Sequence, residues 1–286
     1  SIVSRSRSTR WCYHGSRVGR GGTGGGWGSM ETTLRLDILP QPDETTCGPT
    51  CLHAVYRYFG IEYDLASLIR QIRRLKNGGT LGVLLANHAL KRGLKATIFT
   101  YNLTVFDPTW FQSPGVDLRK KLIAQAKFKD RKKLKIATKG YLEFLELGGR
   151  VNFEDLTDEL IFGPLSRGVP ILTGLSATYL YRCPREYGPR SDFDDVRGVP
   201  QGHFVVLCGC DRSTRTVLVA DPLSPNPPFD RHFYELDVDR VKHAILLGIV
   251  TYDSVLVVIE PRAEGLPPGA GRAAAGDGDL GRRGKG

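Results

Sequence analysis

Helical and strand-like patterns of apolar residues occupy different halves of this sequence, and that separation most constrains its fold. In the first half apolar residues recur every three to four positions, and in the second they form short runs typical of strands. Helices first and strands later indicate the α+β class, with a helical lobe packed on an antiparallel β-sheet. Helices are predicted at 47–59, 64–75, 81–92, 111–148 with a polar break, and 156–166, and strands at 32–39, 94–100, 169–175, 203–210, 216–220 and 254–259.

Both ends of the chain differ in composition from the middle. Residues 1–29 contain five Arg, eight Gly and no acidic residue, and residues 263–286 are rich in Gly, Ala and Pro. Both ends are predicted to be disordered, because neither has the periodic apolar residues of a core. Met30 is the only methionine and organised sequence begins directly after it. We therefore expect residues 1–29 to lie upstream of the true start, with a flexible basic arm as the alternative, and residues 30–262 to form the folded domain.

No stretch of the sequence is long and apolar enough to cross a membrane as a helix. The first residues also lack the apolar run and the cleavage site of a signal peptide. We therefore expect a cytoplasmic protein without a membrane span. Its six cysteines are then expected to be reduced thiols rather than a disulfide framework.

A cysteine stands at the start of the first long predicted helix. Cys47 follows a loop that begins with Gln41, and Pro49 occupies the first helical turn, where its missing N–H costs nothing. Free amide N–H groups and the dipole of a helix N-terminus favour the thiolate, which is the nucleophilic form of cysteine. The side-chain amide of Gln41 is predicted to form an oxyanion hole together with the backbone N–H of Cys47.

A thiol nucleophile needs a base, and His203 is the best-placed histidine. It begins one predicted strand, and Asp221 follows the next one. An antiparallel hairpin with its turn centred on Arg212 would place Val205 opposite Val219 and His203 opposite Asp221. The carboxylate would then hold the tautomer and the orientation of the imidazole while the other ring nitrogen takes the thiol proton. A structural histidine at a strand start is the alternative.

Three further cysteines, Cys51, Cys208 and Cys210, invite a comparison with a metal site. Successive residues of a strand alternate faces, so Cys208 and Cys210 are predicted to point away from the face of His203. We therefore interpret all three as small core residues. No cofactor and no metal ion is predicted.

Together these motifs resemble the bacteriocin-processing cysteine peptidases, papain-like domains that cleave leader peptides after a double glycine. The resemblance spans most of residues 36–225 and rests on Gln41, the Thr-Cys-Gly-Pro run from Thr46, the Gly-His-Phe-Val-Val strand from Gly202 and the Ala-Asp-Pro run from Ala220. It implies a papain-like fold with four functional residues. They are Cys47 as nucleophile, His203 as general base and acid, Asp221 as orienting residue and Gln41 as oxyanion donor.

A strongly basic segment lies between the predicted first helices and the His203 strand. The chain has a formal net charge of +10, and from Arg119 to Lys139 ten Lys or Arg accompany one acid, Asp130. The segment belongs to a basic helical insertion predicted around 115–150. It is interpreted as a solvated helix face, as a docking surface for an acidic peptide or partner, or as a cover over a substrate cleft. Nucleic acid is disfavoured, because Phe128 is the only aromatic residue in the cluster.

The predicted function is that of a cysteine peptidase-like hydrolase acting on a peptide or protein substrate. A Cys-His-Asp triad would cleave a peptide or amide bond through an acyl-enzyme thioester. One alternative is an acyl-transferring enzyme of peptide tailoring that uses the same triad. The other is a non-catalytic peptide-binding module that retains the fold.

Overall fold

The helices of the protein lie mainly before its longest strands. The structure is a computed structural model and describes residues 30–75, 78–224, 226 and 229–262. Within those ranges no helix is long and apolar enough to cross a membrane. The α-helices are α1 (Cys47–Tyr58), α2 (Leu65–Gln71), α3 (Gly82–Lys91), α4 (Leu118–Phe128), α5 (Lys132–Glu146), α6 (Asp158–Ser166), α7 (Ala177–Tyr181) and α8 (Val238–Leu247), and 3₁₀ helices span Pro108–Phe111 and Gly248–Thr251.

The strands form one large sheet and one small hairpin. They are β1 (Thr32–Thr33), β2 (Lys95–Thr100), β3 (Arg150–Asn152), β4 (Ile171–Ser176), β5 (Glu186–Tyr187), β6 (Asp192–Phe193), β7 (Gly202–Asp211), β8 (Thr216–Ala220), β9 (Phe233–Asp237) and β10 (Val255–Glu260). The large sheet has the order β3-β2-β10-β4-β7-β8-β9, with β1 also paired to β7, while β5 and β6 pair with each other. Strands β2 and β3 run parallel and the other paired strands run antiparallel. The predicted α+β class with a largely antiparallel sheet is therefore confirmed.

Several elements differ from the sequence-based prediction. The strand predicted at 32–39 is reduced to two residues of β1. Residues 111–148 contain two separate helices, α4 and α5, on either side of the polar break. The strands β3, β5, β6 and β9 and the helices α7 and α8 were not predicted. Most of these are five residues or shorter, too short to show a clear periodicity.

Two glycines allow α1 and α3 to approach the sheet closely. A Cβ atom on Gly48 of α1 would lie 2.7 Å from Cγ2 of Thr80 and 3.3 Å from a ring carbon of Phe204 on β7. A Cβ atom on Gly82 of α3 would lie 2.8 Å from Cγ2 of Val255 on β10. The start of α1 is therefore held directly against the strand that carries His203.

The register predicted for the β7–β8 hairpin is wrong. Val219 pairs with Leu207 rather than with Val205. Beyond that pair Gly209 faces Leu218, so Cys208 is the extra residue of a β-bulge.

The turn of this hairpin explains part of the difference. It comprises residues 212–215 and is not centred on Arg212, since the last pair is Asp211 with Thr216. Oδ1 of Asp211 accepts hydrogen bonds from the backbone N of Ser213 and Thr214, at 2.8 and 3.1 Å. Arg215 has a left-handed φ of 55°, a conformation that single residues adopt in such turns. The longer turn and the bulge together shift the register.

The predicted disordered ends, residues 1–29 and 263–286, lie outside the described residues. The expected true start at Met30 stays a prediction as well. The limits of the folded domain at 30–262 stay a prediction.

Candidate active site

Cys47 is the first residue of α1, and an ordered loop leads into it. Asp43 organises this loop, because its Oδ1 accepts hydrogen bonds from N and Oγ1 of Thr45, at 2.8 and 2.7 Å. The backbone oxygen of Asp43 accepts from Oγ1 of Thr46 at 2.9 Å. Cys47 is 7% exposed and lies among the free N–H groups of the helix start. The loop thus fixes the position of the thiol at a helix N-terminus, where the thiolate is favoured.

His203 and Asp221 are hydrogen-bonded, although strand pairing does not place them opposite each other. Nε2 of His203 lies 2.9 Å from Oδ1 of Asp221, and both side chains are buried. The β7–β8 ladder ends at the pair Val206 and Ala220, so Asp221 contacts the histidine from the segment just after β8. Because the carboxylate engages Nε2, the ring nitrogen left for another partner is Nδ1.

The carboxylate of Asp221 accepts four hydrogen bonds, which saturate it. Besides His203, Oδ1 accepts from the backbone N of Leu223 at 2.9 Å. Oδ2 accepts from the hydroxyl groups of Tyr181 at 2.7 Å and Tyr234 at 2.5 Å. Asp221 itself is fully buried and the two tyrosines nearly so. A buried carboxylate with this many donors is held both in its ionised form and in one orientation.

These contacts set the charge states of the pair. Burial lowers the pKa of His203, but the charge of Asp221 and the interactions with Cys47 outweigh it and raise that pKa to about 10. Burial raises the pKa of Asp221, yet the imidazolium charge and the hydrogen bonds from His203, Tyr234 and Tyr181 bring it below its ordinary value. The pair therefore consists of an imidazolium and a carboxylate at neutral pH.

Cys47 interacts with the same imidazole. A side-chain hydrogen bond and a charge interaction connect Cys47 with His203, and both raise the pKa of the imidazole. An imidazolium next to a thiol favours its thiolate form. Cys47, His203 and Asp221 therefore interact with one another through the imidazole of His203.

Gln41 lies in the loop before Cys47, with its side chain directed at Asp43. Its Nε2 donates to the backbone oxygen of Asp43 at 2.9 Å, while its buried Oε1 has no hydrogen-bond partner among the described residues. The backbone N of Gln41 donates to the oxygen of Pro222 at 2.8 Å. This bond joins the Cys47 loop to the segment that follows Asp221. A primary amide has two N–H groups, so one donor of Gln41 remains beyond the bond to Asp43.

The three cysteines considered as metal ligands in the sequence, Cys51, Cys208 and Cys210, are buried. Sγ of Cys51 donates to the backbone oxygen of Phe204 at 3.2 Å, and burial raises the pKa of Cys51, Cys208 and Cys210. Because the bulge at Cys208 interrupts the alternation of faces, the strand-face argument made for Cys208 and Cys210 does not hold. Within the described ranges no three His, Cys, Asp or Glu side chains are grouped as metal ligands.

Three residues of the site were missed from the sequence. Tyr181 and Tyr234 hold Asp221, and Asp253 packs against Gly202, the residue before His203. A Cβ atom on Gly202 would lie 2.0 Å from Oδ2 of Asp253. Burial raises the pKa of Asp253 to about 7. The short alternation of apolar and polar residues from Tyr234 to Asp237 is a weak sequence signal for Tyr234 as an inward residue, and no pattern links Tyr181 or Asp253 to the motifs.

Residues 35–129 match the model of the Peptidase C39 family. The resemblance drawn from the motifs is thereby confirmed for the part of the chain that contains Gln41 and Cys47. The match ends before His203 and Asp221. No curated protein matches the chain in sequence.

Solved structures of low sequence identity also resemble the chain. A C39-like peptidase from Bacillus anthracis is 15% identical, with a TM-score of 0.45, and the match covers 81% of this chain and 98% of that one. The peptidase domain of Streptococcus ComA, a bifunctional ABC transporter, is 15% identical with a TM-score of 0.38, covering 80% and 100% of the two chains. Xylellain, a cysteine protease from Xylella fastidiosa, is 12% identical with a TM-score of 0.39, covering 81% and 85%.

Proposed function

We propose that this protein is a cysteine peptidase-like hydrolase that cleaves a peptide or amide bond with Cys47, His203 and Asp221. The observation that carries the proposal is the position of the His203 ring, which contacts Cys47 and donates Nε2–H to Asp221 at 2.9 Å. Nucleophile, base and orienting acid follow one another in the order that thiol catalysis requires. The family match over residues 35–129 supports the same class of activity.

In the first half of the proposed reaction the proton of the Cys47 thiol resides on Nδ1 of His203. The thiolate attacks the carbonyl carbon of the substrate, and the backbone N–H of Cys47 and the second N–H of Gln41 stabilise the oxyanion. Each such donor lowers the barrier by about 3 kcal/mol in well-studied enzymes. As the C–N bond breaks, the imidazolium gives its proton to the leaving amine, and a thioester on Cys47 remains.

In the second half His203 acts as a base. Its neutral Nδ1 takes a proton from water while the water oxygen attacks the thioester carbonyl. The C–S bond then breaks, the acyl group leaves as a carboxylic acid, and the proton on His203 restores the ion pair with Cys47. Asp221 keeps Nε2 protonated throughout, because all its oxygen positions are occupied by donors.

Selective alkylation of Cys47 tests the proposal. We expect iodoacetamide at pH 7 to label Cys47 faster than any other cysteine, and His203→Ala to slow that labelling about tenfold or more, because the imidazolium is lost. Mass spectrometry of the labelled peptides gives the rate at each cysteine. Cys183→Ala and His243→Ala are matched controls, since His243 lies beside Tyr179 and Cys183 interacts with Glu186.

Uniform labelling of the cysteines, or unchanged labelling of Cys47 in His203→Ala, would contradict the proposal. The protein would then be better described as a peptide-binding module with this fold.

A further inference from the structure

The basic segment forms a surface with an unbalanced charge. Nine of the Lys and Arg side chains between residues 119 and 139 are exposed, and we call them the basic surface. Among the described residues, two of them form ion pairs, Lys120 with Asp117 at 3.8 Å and Lys135 with Asp130. Both pairs are solvent-exposed, and such pairs contribute little. The basic surface therefore presents a net positive field to any molecule that approaches it.

This surface borders the histidine side of the candidate active site. Nζ of Lys133, in the first turn of α5, donates to the backbone oxygen of Thr251 at 2.7 Å. The hydroxyl of Thr251, like the carboxylate of Asp253, packs on Gly202, the residue before His203. One layer of side chains thus separates the start of α5 from the strand that carries the catalytic histidine. A peptide that extends from the site towards α5 meets the basic surface.

Exposed apolar side chains lie among the cations. Phe128 is 87% exposed and Ile123 47% exposed, and Leu122 is the buried residue of α4. With 11 residues α4 is about 16 Å long, which an extended peptide covers with about five residues. Cations mixed with apolar side chains suit a peptide that carries both acidic and apolar residues.

A nucleic acid fits this surface less well. Single strands bind to platforms of several aromatic side chains on which successive bases stack. Within residues 119–139 the sequence provides one aromatic residue, Phe128. The adjacent site, moreover, carries the chemistry of amide cleavage and none that acts on a phosphate.

We propose that the basic surface docks an acidic segment of the peptide substrate outside the bond that is cleaved. The inference rests on the proposed peptidase function for the identity of its ligand. Docking on α4 and the first turn of α5 would raise the local concentration of the substrate beside Cys47 and would select acidic peptides by charge.

The paired variant Arg119→Glu/Lys132→Glu tests the surface without disturbing the helices. Both positions are exposed and lie in the first turns of α4 and α5, where the helix dipole favours an acid. The matched control is Arg35→Glu/Arg70→Glu, which makes the same change in net charge at two exposed positions outside the basic surface.

Fluorescence anisotropy measures binding of the full chain to a labelled twelve-residue Glu-Ser repeat. We expect the paired variant to bind this probe about tenfold more weakly than the wild type, because two attractions become repulsions. The control pair should change the affinity less than twofold. Equal binding by the paired variant overturns the proposal. So does tighter binding of the wild type to a twelve-nucleotide oligouridylate or to phosphatidylserine vesicles than to the peptide.

Alkylation of Cys47 separates this outcome from a failure of the proposed function. The paired variant should react with iodoacetamide at the wild-type rate, which shows that the site is intact and assigns the lost binding to the surface. If Cys47 of the wild type is not alkylated selectively, that result counts against the peptidase function. Loss of selective alkylation in the paired variant alone counts against the docking surface, because the two substitutions would then have disturbed the site itself.

Discussion

At the scale of single residues, Asp221 defines the geometry of the site. The sequence predicted its contact with His203, and the structure adds Tyr181 and Tyr234 as donors to the second carboxylate oxygen. Removing a donor from a buried charged acceptor costs about 1–3 kcal/mol, because the acceptor has already lost its water. The two hydroxyl groups therefore matter for the ionisation of Asp221 as well as for its orientation.

Substitution of either tyrosine by phenylalanine should change the pH dependence of the thiol. In Tyr181→Phe and in Tyr234→Phe we expect the pKa of Asp221 to rise, since one hydrogen bond to its ionised form is lost. The acid limb of the pH profile for Cys47 alkylation should then move to higher pH. The control is Tyr187→Phe, at a partly exposed tyrosine. An acid limb identical to that of the wild type in both variants would mean that the hydroxyl groups only fill space.

At the scale of elements, the positions of strands β7 and β8 were predicted correctly, but the register in which they pair was not. The strands themselves follow from their apolar runs, and β8 begins and ends where it was predicted. The bulge at Cys208 and the turn at residues 212–215 depend on local backbone geometry that no alternation of apolar residues encodes. His203 and Asp221 still meet, because Asp221 lies beyond the ladder and its side chain spans the remaining offset.

The start of β7 tolerates only a glycine before His203. In Gly202→Ala the new methyl group would overlap Oδ2 of Asp253, at 2.0 Å, and Oγ1 of Thr251, at 2.6 Å. We expect the free energy of unfolding to fall by about 1–3 kcal/mol and alkylation of Cys47 to slow, because β7 must shift with His203. Chemical denaturation and iodoacetamide labelling measure the two effects.

Gly163→Ala is the matched control for this substitution. The nearest atom to its new methyl group is the flexible carboxylate of Glu159, at 3.1 Å, and alanine favours the helix α6. Equal stability and equal labelling in Gly202→Ala and the control would show that β7 accommodates the methyl group.

At the scale of the whole molecule, buried charge links stability to pH. Burial raises the pKa of Asp253 to about 7, whereas an aspartate in an unfolded chain ionises near its ordinary value of 3.8. Between these two values the unfolded chain loses the proton and the folded chain keeps it. The contribution of Asp253 to stability is therefore present below pH 3.8 and is lost as the pH rises to about 7.

Asp253→Asn should consequently stabilise the protein at high pH. Relative to the wild type, we expect its free energy of unfolding to be about 1–3 kcal/mol larger at pH 8, with little difference at pH 4. Urea denaturation at the two pH values provides the measurement. Asp195→Asn, at an exposed loop aspartate, should show no such dependence. A difference between Asp253→Asn and the wild type that is the same at both pH values would indicate that folding does not raise the pKa of Asp253.

The sequence by itself determined the α+β class, the helix that starts at Cys47 and the two strands that precede and follow the hairpin turn. These features are encoded locally, in the spacing of apolar residues and in the preferences of residues such as Pro49. Only the tertiary structure decided the bulge at Cys208, the tyrosines on Asp221 and the contact of Lys133 with Thr251. Each of these depends on how segments far apart in the chain pack together. The distances between packed segments, unlike the periodicity of a helix or strand, are not encoded in any short stretch of sequence.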